Sequence, residues 1–85
     1  SEVNNALTQV QVARGKTELR DGQITSLETA VRSTQLLMKH GNSTYLEVLT
    51  AQQSLLSAQL TQIADRFDEI QGIINLYQAL GGGRE

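Results

Sequence analysis

The sequence predicts an all-α fold, a long antiparallel helical hairpin of the coiled-coil kind. Three observations carry this expectation. The 85 residues contain no proline, so the strongest helix breaker is absent from end to end. Apolar residues recur in steps of three and four through both halves of the chain. Between the halves lies Lys39-His40-Gly41-Asn42-Ser43-Thr44, which reads as one helix C-terminus followed at once by a helix N-terminus.

The first helix is expected over 2–39. Val3, Ala6, Val10, Ala13, Thr17, Arg20, Ile24, Leu27, Val31, Thr34 and Met38 trace a seam along it. The seam is thin. Small residues open it, and Thr17 and Arg20 interrupt it beside Gly15 and Gly22, each glycine costing about 1 kcal/mol relative to alanine. That stretch is expected to be weak, bent or dependent on a neighbour. A tip turn is placed at 40–43, where basic residues suit the end of a helix dipole and Gly41 is free to take the left-handed cap conformation. Thr44-Tyr45-Leu46-Glu47 then fits a capping box, in which the threonine and the acid three positions on satisfy each other's free backbone amides. So short a connection forces the two helices antiparallel.

The second helix is expected over 44–80, about 55 Å long at 1.5 Å per residue. Leu46, Leu49, Gln53, Leu56, Leu60, Ile63, Phe67, Ile70, Ile74 and Tyr77 give it a heptad seam with one polar interruption, and this stripe is expected to close the hairpin. A second set, Val48, Leu55, Ala58, Ile73, Leu76 and Leu80, lies off that seam and needs another surface to cover it. Gly81-Gly82-Gly83 is expected to end the helix and leave a glycine-rich tail over 81–85.

Composition bounds what such a hairpin can do. Leu, Ile, Val and Phe number 23, above the roughly 20% floor of disordered chains, so the sequence is expected to be ordered as one folding unit. A net charge of −2 from seven basic and nine acidic residues leaves no basic stripe, and no nucleic-acid partner is expected. With no cysteine there is neither a disulfide nor a thiolate metal site. No apolar run approaches the 18 to 20 residues of a membrane helix, and nothing resembles a signal peptide. The chain opens on Ser1-Glu2-Val3 without an initiator methionine and is expected to be a fragment of a larger chain. Gln, Thr, Ser and Asn number 28 against 16 charged residues, so the outer faces carry amides and hydroxyls where a solvated helix usually carries Glu and Lys.

Candidate chemistry is sparse. His40 is the only histidine and has no acidic residue within four positions, which suits a solvent-facing helix end better than a metal ligand or catalytic base. Ser43 and Thr44 have the spacing of helix caps. Asp65, Asp68 and Glu69 crowd one turn with Arg66 among them, a pattern expected on a solvated face; acid–base work needs carboxylates in a cleft, which a hairpin lacks. No enzyme activity, metal or cofactor is expected.

Two stretches carry a family resemblance. Gly41-Asn42-Ser43-Thr44-Tyr45-Leu46-Glu47-Val48-Leu49-Thr50-Ala51-Gln52, followed by Asn75-Leu76-Tyr77-Gln78-Ala79-Leu80-Gly81-Gly82-Gly83, resembles the C-terminal periplasmic hairpin of the TolC-like outer membrane efflux proteins, nearest to their OprM-like lipoprotein branch. Glu2-Val3-Asn4-Asn5-Ala6-Leu7 resembles the opening of the same helix in that branch, so the likeness spans nearly the whole chain. The family implies a homo-trimer with a shared β-barrel in the outer membrane and a periplasmic α-barrel, to which this segment would contribute wall and tip. It implies passive export of drugs and small molecules, energised by an inner-membrane pump of the RND type. Lys39, His40, Gly41, Asn42, Ser43 and Thr44 would form the tip that meets a periplasmic adaptor, the membrane fusion protein. Glu47 would narrow the channel entrance. Many relatives carry a second acid where this chain has Thr50, and tryptophan where it has Arg84. The competing expectation is a self-contained coiled-coil scaffold. Under either reading the isolated hairpin should self-associate into a bundle of at least four helices.

Overall fold

The computed structural model describes residues 1–82 and consists of two helices, α1 (Glu2–Lys39) and α2 (Tyr45–Gly82). Their ends follow from local chemistry. Ser1 caps α1 by accepting a 3.3 Å hydrogen bond from the Asn4 N–H, with Glu2 in the positively polarised first turn. At the other end Gly41 adopts φ +79°, its N–H donates to the Met38 carbonyl at 3.0 Å, and the Asn42 N–H donates to the Leu37 carbonyl at 2.8 Å. This pair of bonds is the Schellman arrangement, and the left-handed residue it needs is the expected glycine. Thr44 lies just outside α2 as its cap, accepting from the Glu47 N–H at 3.2 Å. Gly81 and Gly82 continue α2 past the expected end at residue 80, while the rest of the expected tail, Gly83, Arg84 and Glu85, lies outside the described residues.

The tight turn folds α2 back along α1 into a rod of 67 × 14 × 12 Å. Its register is constant along the length. Gln9 meets Asn75, Lys16 meets Asp68, Arg20 meets Asp65 and Asp21 meets Gln62, so each partner is the reflection of the other through the turn. The α1 seam is the expected one. Ala6, Val10, Ala13, Ile24 and Val31 are buried and Thr17, Arg20, Leu27 and Thr34 half-buried between them; Met38, at its tip end, is exposed.

The α2 seam differs from the expected one. Leu46, Leu56, Leu60, Ile63, Phe67, Ile70 and Ile74 face outward, with Phe67 70% exposed, and Leu49 is half-buried. The stripe that closes the hairpin runs through Val48, Ala51, Leu55, Ala58, Gln62, Asp65, Glu69, Gly72, Leu76 and Ala79, every one buried or half-buried at strict heptad spacing. It therefore takes in most of the set expected to need another surface. Size and polarity explain the inversion. Opposite the small residues at the open end of the α1 seam there is room only for small partners: a Cβ at Gly72 would stand 3.3 Å from Val10 Cγ2. In the polar gap Arg20 pairs with Asp65, while Gln62 and Glu69 of the same stripe pair with Asp21 and Arg14 on either side of it.

That gap is also why α1 runs unbroken past Gly15 and Gly22. Asp65 is buried at 4% exposure, a correction to its placement on a solvated face, and accepts a 3.0 Å bond from Arg20 Nε. Around this pair, Lys16 Nζ lies 3.2 Å from Asp68 Oδ2, Arg14 Nε 3.3 Å from Glu69 Oε2, and Arg66 Nη2 3.7 Å from Asp21 Oδ1. The middle of the hairpin is a belt of ion pairs, and the stretch is held by its neighbour.

Candidate functional site

With the two seams located, the sides of α2 sort into faces. At about 100° per residue, the exposed apolar stripe lies about 150° around the helix from the stripe that meets α1. Between the two, on one side, runs a row of Glu47, Thr50, Ser54, Ser57 and Thr61, continued by Asp68, Gln71, Asn75 and Gln78. Shallow grooves between the helices open along this row. One of about 510 Å³ is walled by Arg20, Gln23 and Leu27 of α1 against Thr50, Ser54, Ser57 and Thr61; others lie further along beside Asp68 and Gln71 and beside Asn75 and Gln78.

Three of the four hydroxyls of this row are committed inward. Thr50 donates to the Leu46 carbonyl at 2.9 Å, Ser54 to Thr50 at 3.1 Å and Thr61 to Ser57 at 3.0 Å. Bonding to the carbonyl four residues back lets short polar side chains sit in a helix without an unmet donor. No buried side-chain polar atom among the described residues lacks a partner.

The tip is built from the turn outward. Lys39, His40, Gly41, Asn42 and Thr44 are exposed and Ser43 is half-buried. His40 is the C-cap residue of α1, its N–H donating to the carbonyls of Leu36 and Leu37. The expected capping box forms only in part. Thr44 receives the Glu47 N–H, but the Glu47 carboxylate accepts from the Ser43 hydroxyl instead of turning to the Thr44 backbone. Glu47 and Thr50 are both exposed on the polar row one helical turn apart, and the hydrogen bond from Ser43 joins Glu47, but not Thr50, to the turn. Leu36, Leu37, Tyr45 and Leu46 add exposed apolar surface just behind the turn. Among the described residues there is no cluster of His, Cys, Asp and Glu that could hold a metal ion, and no helix is long and apolar enough to cross a membrane.

The polar row and the ion-pair belt are not among the features expected from the sequence. The row was readable as Thr50, Ser54, Ser57 and Thr61 at spacings of three and four. The belt was readable by reflecting Arg20 through the turn onto Asp65.

Comparison with known proteins gives a consistent result. The family model described as outer membrane efflux protein matches residues 1–82. The chain is 33% identical over 82 residues to the cation efflux system protein CusC of Escherichia coli (strain K12), covering 96% of this chain and 18% of CusC. It is 30% identical over 83 residues to the pyoverdine export outer membrane protein OpmQ of Pseudomonas putida, covering 98% of this chain and 18% of OpmQ. A shorter match, 46% identical over 43 residues, relates 51% of the chain to 9% of the solvent efflux pump outer membrane protein SrpC of Pseudomonas putida. The chain thus spans about a fifth of the length of the relatives it matches along its whole extent. No solved structure matches.

Proposed function

From the premise that this chain belongs to the outer membrane efflux protein family, we propose that it forms wall and periplasmic tip of an export channel. The observation that carries the reading is the two-faced α2. A helix with one seam against α1 and a second apolar stripe about 150° away is suited to a curved sheet of helices, where each has a neighbour on both sides. The polar row then faces the enclosed water, and the periplasmic α-barrel of a homo-trimer is the assembly that provides such neighbours. The hairpin works as a passive conduit within an outer-membrane protein, driven by an inner-membrane pump and joined to it by a periplasmic adaptor that meets Lys39, His40, Gly41, Asn42, Ser43 and Thr44.

Cargo fits this division of labour. The relatives are named for cations, solvents and pyoverdine, chemically unlike solutes, which favours a wall that guides small molecules and leaves their selection to the pump. Amides and short hydroxyls suit that task, because they hydrogen-bond without a strong fixed field. Of the two acids in the row Asp68 is paired with Lys16, and Glu47, in no ion pair among the described residues, would set the charge at the entrance, with Thr50 standing where many relatives have a second acid.

The test is cysteine accessibility in the full-length channel. A cysteine at Ser57, on the polar row, should react with a bulky charged thiol reagent added to the aqueous pore and lower single-channel conductance. A cysteine at Gln59, on the opposite side of α2, should leave conductance unchanged on labelling. The reverse pattern would remove the row from the lumen.

A further inference from the structure

We infer that Ser43 is a positioning residue for the Glu47 carboxylate, so that the turn offered to a docking partner also sets where the entrance charge sits; this rests on the reading of Glu47 as the entrance acid. The Ser43 hydroxyl donates to Glu47 Oε2, a charge-assisted bond of the stronger class. At the same time the Glu47 N–H donates to Thr44 Oγ1 at 3.2 Å, so the residue is gripped from the turn through both its backbone and its side chain. Helical side chains lean toward the helix N-terminus, and the serine holds the carboxylate in that direction, at the mouth and away from Thr50.

No other group competes for it. The Thr50 hydroxyl is committed to the Leu46 carbonyl, and none of the ion pairs among the described residues includes Glu47. Without Ser43 this exposed carboxylate is free to spread over several rotamers, and the negative field at the mouth weakens. A partner that seats on the turn and takes the Ser43 hydroxyl for itself has the same effect, which couples docking to entrance charge through one side chain.

The experiment uses the full-length trimer in planar bilayers, reading the reversal potential across a potassium chloride gradient for wild type, Ser43→Ala, Ser43→Thr, Glu47→Gln and the Ser43→Ala/Glu47→Gln double variant. Glu47→Gln should shift the potential toward lower cation preference. Ser43→Ala should shift it in the same direction by a smaller amount, Ser43→Thr should restore the wild-type value, and the double variant should match Glu47→Gln alone. Trimer migration on a gel checks assembly, and Ser43→Cys, of similar size but a weaker donor, stands in if the alanine variant fails to assemble. A silent Glu47→Gln overturns the entrance reading and this inference with it. An active Glu47→Gln beside a silent Ser43→Ala, or a Ser43→Ala shift that persists in the Glu47→Gln background, overturns the role of Ser43 and leaves the entrance reading standing.

Discussion

Asp65 has almost no contact with water, and the guanidinium that pairs with it keeps 30% of its side-chain exposure. Removing one partner of such a pair costs more than the pair contributes, because the remaining charge is left half-desolvated. Asp65→Ala is therefore expected to loosen the middle of the hairpin by about 2 kcal/mol, less than the 3–5 kcal/mol of a fully buried pair because Arg20 can still reach water. In native-state hydrogen exchange this corresponds to about 30-fold faster exchange across residues 14–21 and 62–69, with the tip unaffected. Gly41 presents the opposite case, a residue with space around it and no freedom. Nothing lies within 4 Å of its would-be Cβ, yet φ +79° is costly for any residue that has one. Gly41→Ala should lower stability by about 1 kcal/mol, read as faster exchange confined to the turn and the ends that flank it.

For the helices, hydrophobic periodicity indicates their existence but not their phase. Lys39 to Thr44 mark the turn through a glycine and a cap, local signals that tertiary contacts do not override, and α1 ends at Lys39 and α2 begins at Tyr45. The α1 seam was readable because only one stripe on that helix is continuous. On α2 two stripes share the same heptad spacing, and choosing the one with larger apolar residues picked the wrong face. What decides between them is complementarity with α1, where Val10 meets a glycine, Gly72, at close approach and Arg20 pairs with an acid, Asp65. The Glu47 environment was unreadable for a different reason, since cap spacing gives two equivalent partners and only coordinates distinguish Ser43 from the Thr44 backbone. A pair of glycine substitutions tests the assigned phase. Gly15 faces open space, so Gly15→Ala should stabilise the hairpin by about 1 kcal/mol. Gly72 faces Val10, so Gly72→Leu should destabilise it by about 1–3 kcal/mol as the helices are forced apart. Chemical unfolding of the two variants should move their midpoints in opposite directions.

At the scale of the molecule, the bulkiest apolar residues are those the hairpin leaves uncovered. Leu56, Leu60, Ile63, Phe67 and Ile70 are each more than half exposed, and a contiguous patch of this length is one that soluble monomers rarely tolerate. The 85-residue chain alone is expected to self-associate, and Phe67→Glu should reduce the mass seen by light scattering at micromolar concentration, since Phe67 takes no part in the seam with α1. A wild-type chain that scatters as a folded monomer would contradict this. The ion-pair belt has a further consequence for how the rod melts. A body 67 Å long and only 12–14 Å thick transmits order along one dimension, each layer cooperating with those directly above and below it. Where Thr17, Arg20, Gln62, Asp65 and Glu69 interrupt the apolar layers, that cooperation thins. The hairpin is therefore expected to melt as two blocks, one around Ile24, Val31, Val48 and Ala58 toward the tip and one around Ala6, Val10, Ala13 and Gly72 beyond the belt, with the ion pairs as the joint between them.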